Sequence, residues 1–180
     1  MKFRSLNLQS RIPALISIFF LLLLSACSGG GGEGGSSSSD QTATQRTMAS
    51  HWNHVAINAS GFDHSAAGGK EQLGPTRSSR AMGIVHIAMF DAANAASGQK
   101  YKPYLLTDSI TDASVDAAIA QAAHDTLVVM FPSQAAEFEA QYANDMAGIA
   151  DGDAKSKGLA LGARAAALIL ADRANDGSDP

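Results

Sequence analysis

Apolar residues recur at helical spacing along most of this chain, and no stretch of useful length alternates at the two-residue period of a strand. The richest segment is GPTRSSRAMGIVHIAMFDAANAA, residues 74–96. Gly74-Pro75 is a turn signal, and a polar, basic start (Thr76, Arg77, Ser78, Ser79, Arg80) follows it. From Ala81 to Ala96 nothing breaks a helix except Gly83, which costs about 1 kcal/mol relative to Ala. Ile84, Ala88, Ala92 and Ala95 form one stripe, and Val85, Met89 and Ala96 form a second. A helix apolar nearly all round is expected at the centre of a core. His86, Asp91 and Asn94 lie within it, so all three are expected to be buried polar groups tied to neighbours by hydrogen bonds.

The same reading gives the other elements. Ser50–Phe62 is expected to be a short helix, capped by Ser50, with Trp52, Ala56 and Ala59 on its inner face. Asp63–Leu73 reads as a loop hinged at Gly68-Gly69. Lys100–Asp112 reads as an extended connection, since Pro103 biases Lys102 away from helix, and Tyr101 and Tyr104 are expected to pack it down. Ser114–Phe131 is a helix whose core face carries Val115, Ile119, Ala122, Thr126 and Met130. Pro132-Ser133 separates it from a helix over Gln134–Ile149, anchored by Phe138, Tyr142 and Met146. Ala154–Asn175 is a long Ala-rich helix, with Gly158, Gly162 and Ala166 forming a ridge of small residues suited to close helix–helix approach. The predicted class is all-α, a bundle of four to five helices.

Upstream of the bundle the pattern changes. Lys2, Arg4 and Arg11 precede an apolar run from Ile12 to Leu24, long enough for the core of a secretory signal and too short to span a bilayer. Leu24-Ser25-Ala26-Cys27 looks like a bacterial lipobox. Residues 1–26 are therefore read as a lipoprotein signal peptide, and Cys27, the sole cysteine, as the lipid attachment site. An ordinary signal cut near Ala26 is the alternative. Ser28 fits an outer-membrane destination, facing the periplasm or exterior. Residues 27–49, rich in Gly and Ser, cannot bury enough apolar surface to fold. As a tether of about 20 residues they would span roughly 25 Å, leaving residues 50–180 as the folded part.

Charge narrows the partners. With Lys2, Arg4 and Arg11 removed from 13 basic residues set against 17 acidic ones, the mature net charge is −7. That argues against nucleic acid, and against an anionic membrane surface, as electrostatic partners. The expected membrane link is the lipid on Cys27. His51 and His54 stand three residues apart, which would suit two metal ligands, but no third ligand is near in sequence and no His-Glu-x-x-His spacing occurs. A metal enzyme using His51 and His54 with His64 or His86 is thus a minor alternative, and no metal or cofactor is expected in this chain.

Taken in order, GPTRSSRAMGIVHIAMFDAANA, YKPYL, DAAIAQAAHDTLVVMFPSQAAEFEAQY and GLALGARAAALILADRANDGS resemble the N-terminal half of bacterial vanadium-dependent haloperoxidase-like proteins. These belong to the superfamily that includes type 2 phosphatidic acid phosphatases. The resemblance spans Trp52 to Ser178 and implies an all-helical fold. It also implies an oxyanion site built from three segments, Lys-x6-Arg-Pro, Pro-Ser-Gly-His and Ser-Arg-x5-His-x3-Asp, lying downstream of this half. Here Lys70 and Arg77 have the first spacing, but Ser78 stands in place of the proline. Ser79-Arg80 and His86 match the start of the third, but Phe90 occupies the position of the acid and Asp91 comes one place late. Pro132-Ser133 continues into Gln134. Lys70, Arg77, Arg80 and His86 are accordingly expected to be coincidental to such a site. The chain is read as an incomplete piece, inactive alone, with vanadate expected only alongside a C-terminal half. That half or a second copy would pack against it. The alternative is a non-catalytic, membrane-anchored binding or scaffold lipoprotein.

Overall fold

Thr47 opens the first helix: its hydroxyl accepts the Ser50 amide at 3.2 Å, supplying a cap three residues ahead of the expected one. The computed structural model of the chain describes residues 47–178; the signal segment, Cys27 and the tether up to residue 46 lie outside them. Five helices follow in order: α1 (Met48–His64), α2 (Pro75–Ala96), α3 (Val115–Met130), α4 (Ala135–Gly148) and α5 (Asp153–Arg173), with a single 3-10 turn, Pro132–Gln134, between α3 and α4. No strand occurs among the described residues, and the fold is an all-α bundle. No helix among them is long and apolar enough to cross a membrane.

Each boundary has a local cause. Pro75 begins α2, where its missing N–H costs nothing, and Gly74 before it sits at φ 87°. Ser114 caps α3 by accepting the Ala117 amide, and Asp116 complements the helix dipole. Pro132 stops α3. Gly152, at φ 144°, turns the chain into α5.

The centre of the bundle is α3, not α2. It packs on α1, α2, α4 and α5 and buries Ala117, Ala118, Ile119, Ala120, Ala122, Ala123, Thr126, Leu127 and Met130. α2 buries ten residues but keeps one side open: His86 and Phe90 are exposed, with Met82, Gly83 and Ile87 half-buried. An apolar circumference alone did not reveal which apolar side would lack a covering helix.

The closest approach joins α3 and α5. A methyl group on Gly158 would sit 2.4 Å from the Ser114 carbonyl oxygen, and one on Gly162 would sit 2.4 Å from that of Ala118. Only glycine allows the two backbones this separation, so the small-residue ridge is a packing device. Trp52, Phe131, Phe138, Leu106, Leu127 and Ile169 supply the large buried side chains around this alanine-lined seam.

Candidate functional site

Two regions gather side chains with chemistry: the loop after α2, and the cleft between α1 and α4. In the first, Asp91 is 2 % exposed and accepts three backbone amides, those of Tyr104 and Leu105 at 2.7 Å and that of Leu106 at 2.9 Å. One turn on, Asn94, 4 % exposed, accepts the Tyr101 amide at 3.0 Å and donates to the Tyr101 carbonyl at 2.8 Å. Five bonds from two buried side chains thus fix residues 101–106 against α2. Leu106 fills the core beneath them.

The two tyrosines do not pack the loop down, as the sequence reading expected. Tyr101 is 70 % exposed, Tyr104 49 % and Phe90 42 %. Buried polar groups hold this loop through its backbone, which frees its aromatic side chains to face outward. Phe90 and Tyr101 lie with ring centroids 6.5 Å apart. The Arg173 guanidinium stands 5.9 Å over the Tyr104 ring and donates to its hydroxyl. Gly83, His86, Ile87, Phe90, Lys102 and Pro103 border the adjoining groove of about 640 Å3.

His86 departs from expectation. It is exposed rather than buried: its Nδ1–H donates to the Met82 carbonyl at 2.8 Å, and its Nε2 faces the Asn53 side-chain amide at 2.9 Å. It links α2 to α1 at the surface because it belongs to the side of α2 that no helix covers.

The near-match to an oxyanion motif does not converge. Arg80 donates to Asp176 at 2.7 Å and to the Arg173 carbonyl at 2.7 Å, closing the C-terminal end of α5. Asp176 is thereby lowered to a pKa of about 2, chiefly by the Arg80 hydrogen bond. Lys70 donates to the Ser65 carbonyl. His64 sits between the Ser60 carbonyl and the Gly74 amide. Among the described residues no three His, Cys, Asp or Glu side chains converge in a way that could hold a metal ion.

Sequence reasoning missed Asp63. It closes α1, is fully buried, and accepts the Glu71 and Gln72 amides at 2.8 and 3.0 Å. It repeats the Asp91 arrangement: a carboxylate near a helix C-terminus holding the loop that follows. The signal was present, since both aspartates lie on the apolar arcs of their helices. At Gly68 a methyl group would meet the Phe62 carbonyl oxygen at 2.2 Å, so this loop folds tightly back on α1.

The second region is looser. α1 and α4 flank a cleft of about 750 Å3 lined by Val55, Phe62, Phe138, His51, His54 and Glu137, among others. His51 also borders an adjoining depression lined by Thr47, Asp116 and Asp145, where its Nε2 and the Asp145 Oδ2 stand 3.5 Å apart. These two atoms and the indole nitrogen of the fully buried Trp52 are shielded from water without a hydrogen bond. Burial pushes the Asp145 carboxyl above its ordinary value, against the opposing pull of His51. Farther along, His124 bonds Asp125 at 2.9 Å and Glu139 at 3.1 Å and stacks on Tyr142, joining α3 to α4. The Asp125 hydrogen bond is the main cause that raises the His124 pKa, with Glu139 adding to it against desolvation.

Comparison with protein-family models, curated proteins and solved structures gives no match to this chain.

Proposed function

We propose that this bundle is the structural N-terminal portion of a haloperoxidase- or acid-phosphatase-like lipoprotein, and that it supplies no oxyanion-binding site of its own. One observation carries the second statement: Lys70, Arg80 and His86 are each held by a different structural partner in a different part of the bundle. A vanadate or phosphate site needs several donors aimed at one point. The cleft between α1 and α4, with Phe62 and Val55 on one wall and Phe138 at its base, is the seat this reading gives to a C-terminal half. Vanadate belongs to that half. Cys27 supplies the membrane anchor, and the location is the cell envelope.

The test has two parts. The purified chain is assayed for bromide oxidation with vanadate and hydrogen peroxide, and for vanadate binding by vanadium-51 magnetic resonance. Neither signal is expected; stoichiometric binding would overturn the assignment of Arg80 and His86 to structure. The gene is then read beyond the codon for Pro180. Lys-x6-Arg-Pro, Pro-Ser-Gly-His and Ser-Arg-x5-His in frame would support the family reading, and their absence would leave a binding or scaffold lipoprotein.

A further inference from the structure

Phe90, Tyr101 and Tyr104 make an aromatic ledge, and the geometry behind it is costly to build. Asp91 and Asn94 are buried in order to fix the backbone that presents it. A loop held only to close the bundle would turn its aromatics inward and its polar groups outward. Here the polar groups are inside and the aromatics outside.

The flanking charge has its own pattern. Residues 98–106, GQKYKPYLL with Gly98 first, carry two lysines and no acid. Lys100 and Lys102 are exposed, and neither has an ion-pair partner among the described residues. By contrast Arg80, Lys155, Lys157, Arg164 and Arg173 all pair with aspartates. The chain is acidic overall, yet its unneutralised lysines here interleave with its most exposed aromatics. Tyrosine rings with lysines beside them suit the boundary between phospholipid headgroups and acyl chains.

We propose that this ledge seats on an anionic phospholipid surface and sets the orientation of the domain on it. The inference adds a second contact to the lipid on Cys27 and rests in part on the lipoprotein reading of that residue. The diacylglyceryl group of a lipobox cysteine would hold the chain on the membrane, but a flexible tether leaves the domain's orientation open, and the ledge sets it. The net charge of −7 opposes such a surface for the domain as a whole, so the contact is confined to the ledge, whose segment carries two lysines and no acid, and the repelled remainder turns away from the surface. A protein partner would also cover aromatics, but it gives no reason for the two uncompensated lysines to interleave with them.

The experiment uses the full-length chain after export, with Cys27 acylation read by mass spectrometry. The protein is reconstituted in phosphatidylcholine vesicles and in vesicles rich in phosphatidylglycerol. Acetylation of Lys100 and Lys102 and nitration of Tyr101 are followed, with Lys157 as the internal reference. Each lysine near an anionic surface gains roughly fivefold in affinity, so labelling of both should slow at least about fivefold on the anionic vesicles, and added salt should reverse this. Lys100→Glu with Lys102→Glu should remove the difference between vesicle types. Tyr101→Ser with Tyr104→Ser should weaken protection without altering the thermal midpoint. Equal labelling on both vesicle types overturns the proposal. Protection that appears in detergent and rises with protein concentration also overturns it, and assigns the face to a second copy. An unacylated Cys27 defeats the lipoprotein reading alone. The ledge is then judged by co-sedimentation with the same two vesicle types, where no preference for the anionic one overturns it.

Discussion

Water-shielded polar atoms occur in two settings in this bundle, and they differ in whether they are hydrogen-bonded. At the end of α2, both Asp91 oxygens accept backbone amides, and Asn94 both accepts and donates. Between α1 and α4, His51 Nε2 and Asp145 Oδ2 are 3.5 Å apart, and they and the Trp52 indole nitrogen are shielded from water without a hydrogen bond. A satisfied carboxylate specifies one loop conformation; shielded groups that meet without hydrogen bonds carry a desolvation cost and specify less. The first arrangement is scaffold for the ledge it presents, and the second is a looser contact between helices.

The largest effect should follow from breaking the clamp. Asp91→Ala leaves three amides without their acceptor, at about 1–3 kcal/mol for each that stays buried. A loss of about 3–5 kcal/mol in chemical denaturation is expected, a large share of a typical domain's stability. Asp91→Asn should be almost as damaging, because its amide donor would face backbone donors. Tyr101→Ser, on the ledge itself, should change stability by under about 0.5 kcal/mol. Equal losses in Asp91→Ala and Tyr101→Ser would mean that the aromatics, not the carboxylate, hold the loop.

Glycine substitutions test the bundle's core in the same way. Gly162→Ala places a methyl group 2.4 Å from a backbone oxygen of α3, and backbone cannot yield as a side-chain tip can. The gain of about 1 kcal/mol in helix propensity is offset by overpacking of about 1–3 kcal/mol, so a net loss of up to about 2 kcal/mol is expected. Gly83→Ala meets nothing within 4 Å and should stabilise by about 1 kcal/mol. Thermal midpoints of the two variants should therefore move in opposite directions.

The helices were readable because each depends on local spacing and caps: Pro75, Ser114, Pro132 and the apolar stripes lie within a few residues of what they determine. The Gly158–Gly162 ridge was readable for the same reason. The central position of α3 was not, since it depends on which helices lie beside it. Nor was the exposure of His86, Tyr101 and Tyr104. The family motifs give a spacing, but whether Arg80 meets His86 or Asp176 depends on a contact 96 residues distant in sequence. The cleft cluster joins His51 to Asp145, again across the chain, and nothing in either neighbourhood announces it.

A smaller effect should come from pH at the α3–α4 junction. The His124 pKa is raised above 6.5, first by its hydrogen bond to Asp125. A histidine whose folded value is raised contributes stability that is fully present below its unfolded value and is lost as pH rises through the folded one. The thermal midpoint should fall by roughly 2 °C between about pH 6 and about pH 9, since partial exposure screens the interaction. His124→Gln should flatten that slope, and Glu139→Gln should halve it or less. A slope that survives His124→Gln belongs to another group.

The smallest effect separates the cleft from the clamp. Burial is the first cause of the raised Asp145 pKa, and the attraction of His51 only partly offsets it. For a carboxylate raised in the folded state, the contribution to stability is greatest below the unfolded value and falls as pH rises through the folded one. At neutral pH the ionised Asp145 therefore opposes folding. Asp145→Asn removes the charge and nearly preserves the side chain's size. It should leave the midpoint unchanged or raise it by roughly 1–2 °C, where Asp91→Asn lowers it steeply. A loss above about 1 kcal/mol would mean that Asp145 and His51 form a desolvated structural pair, since removing one partner of such a pair is strongly destabilising. The His51–Asp145 contact would then be a completed structural one like the Asp91 clamp, joining α1 to α4.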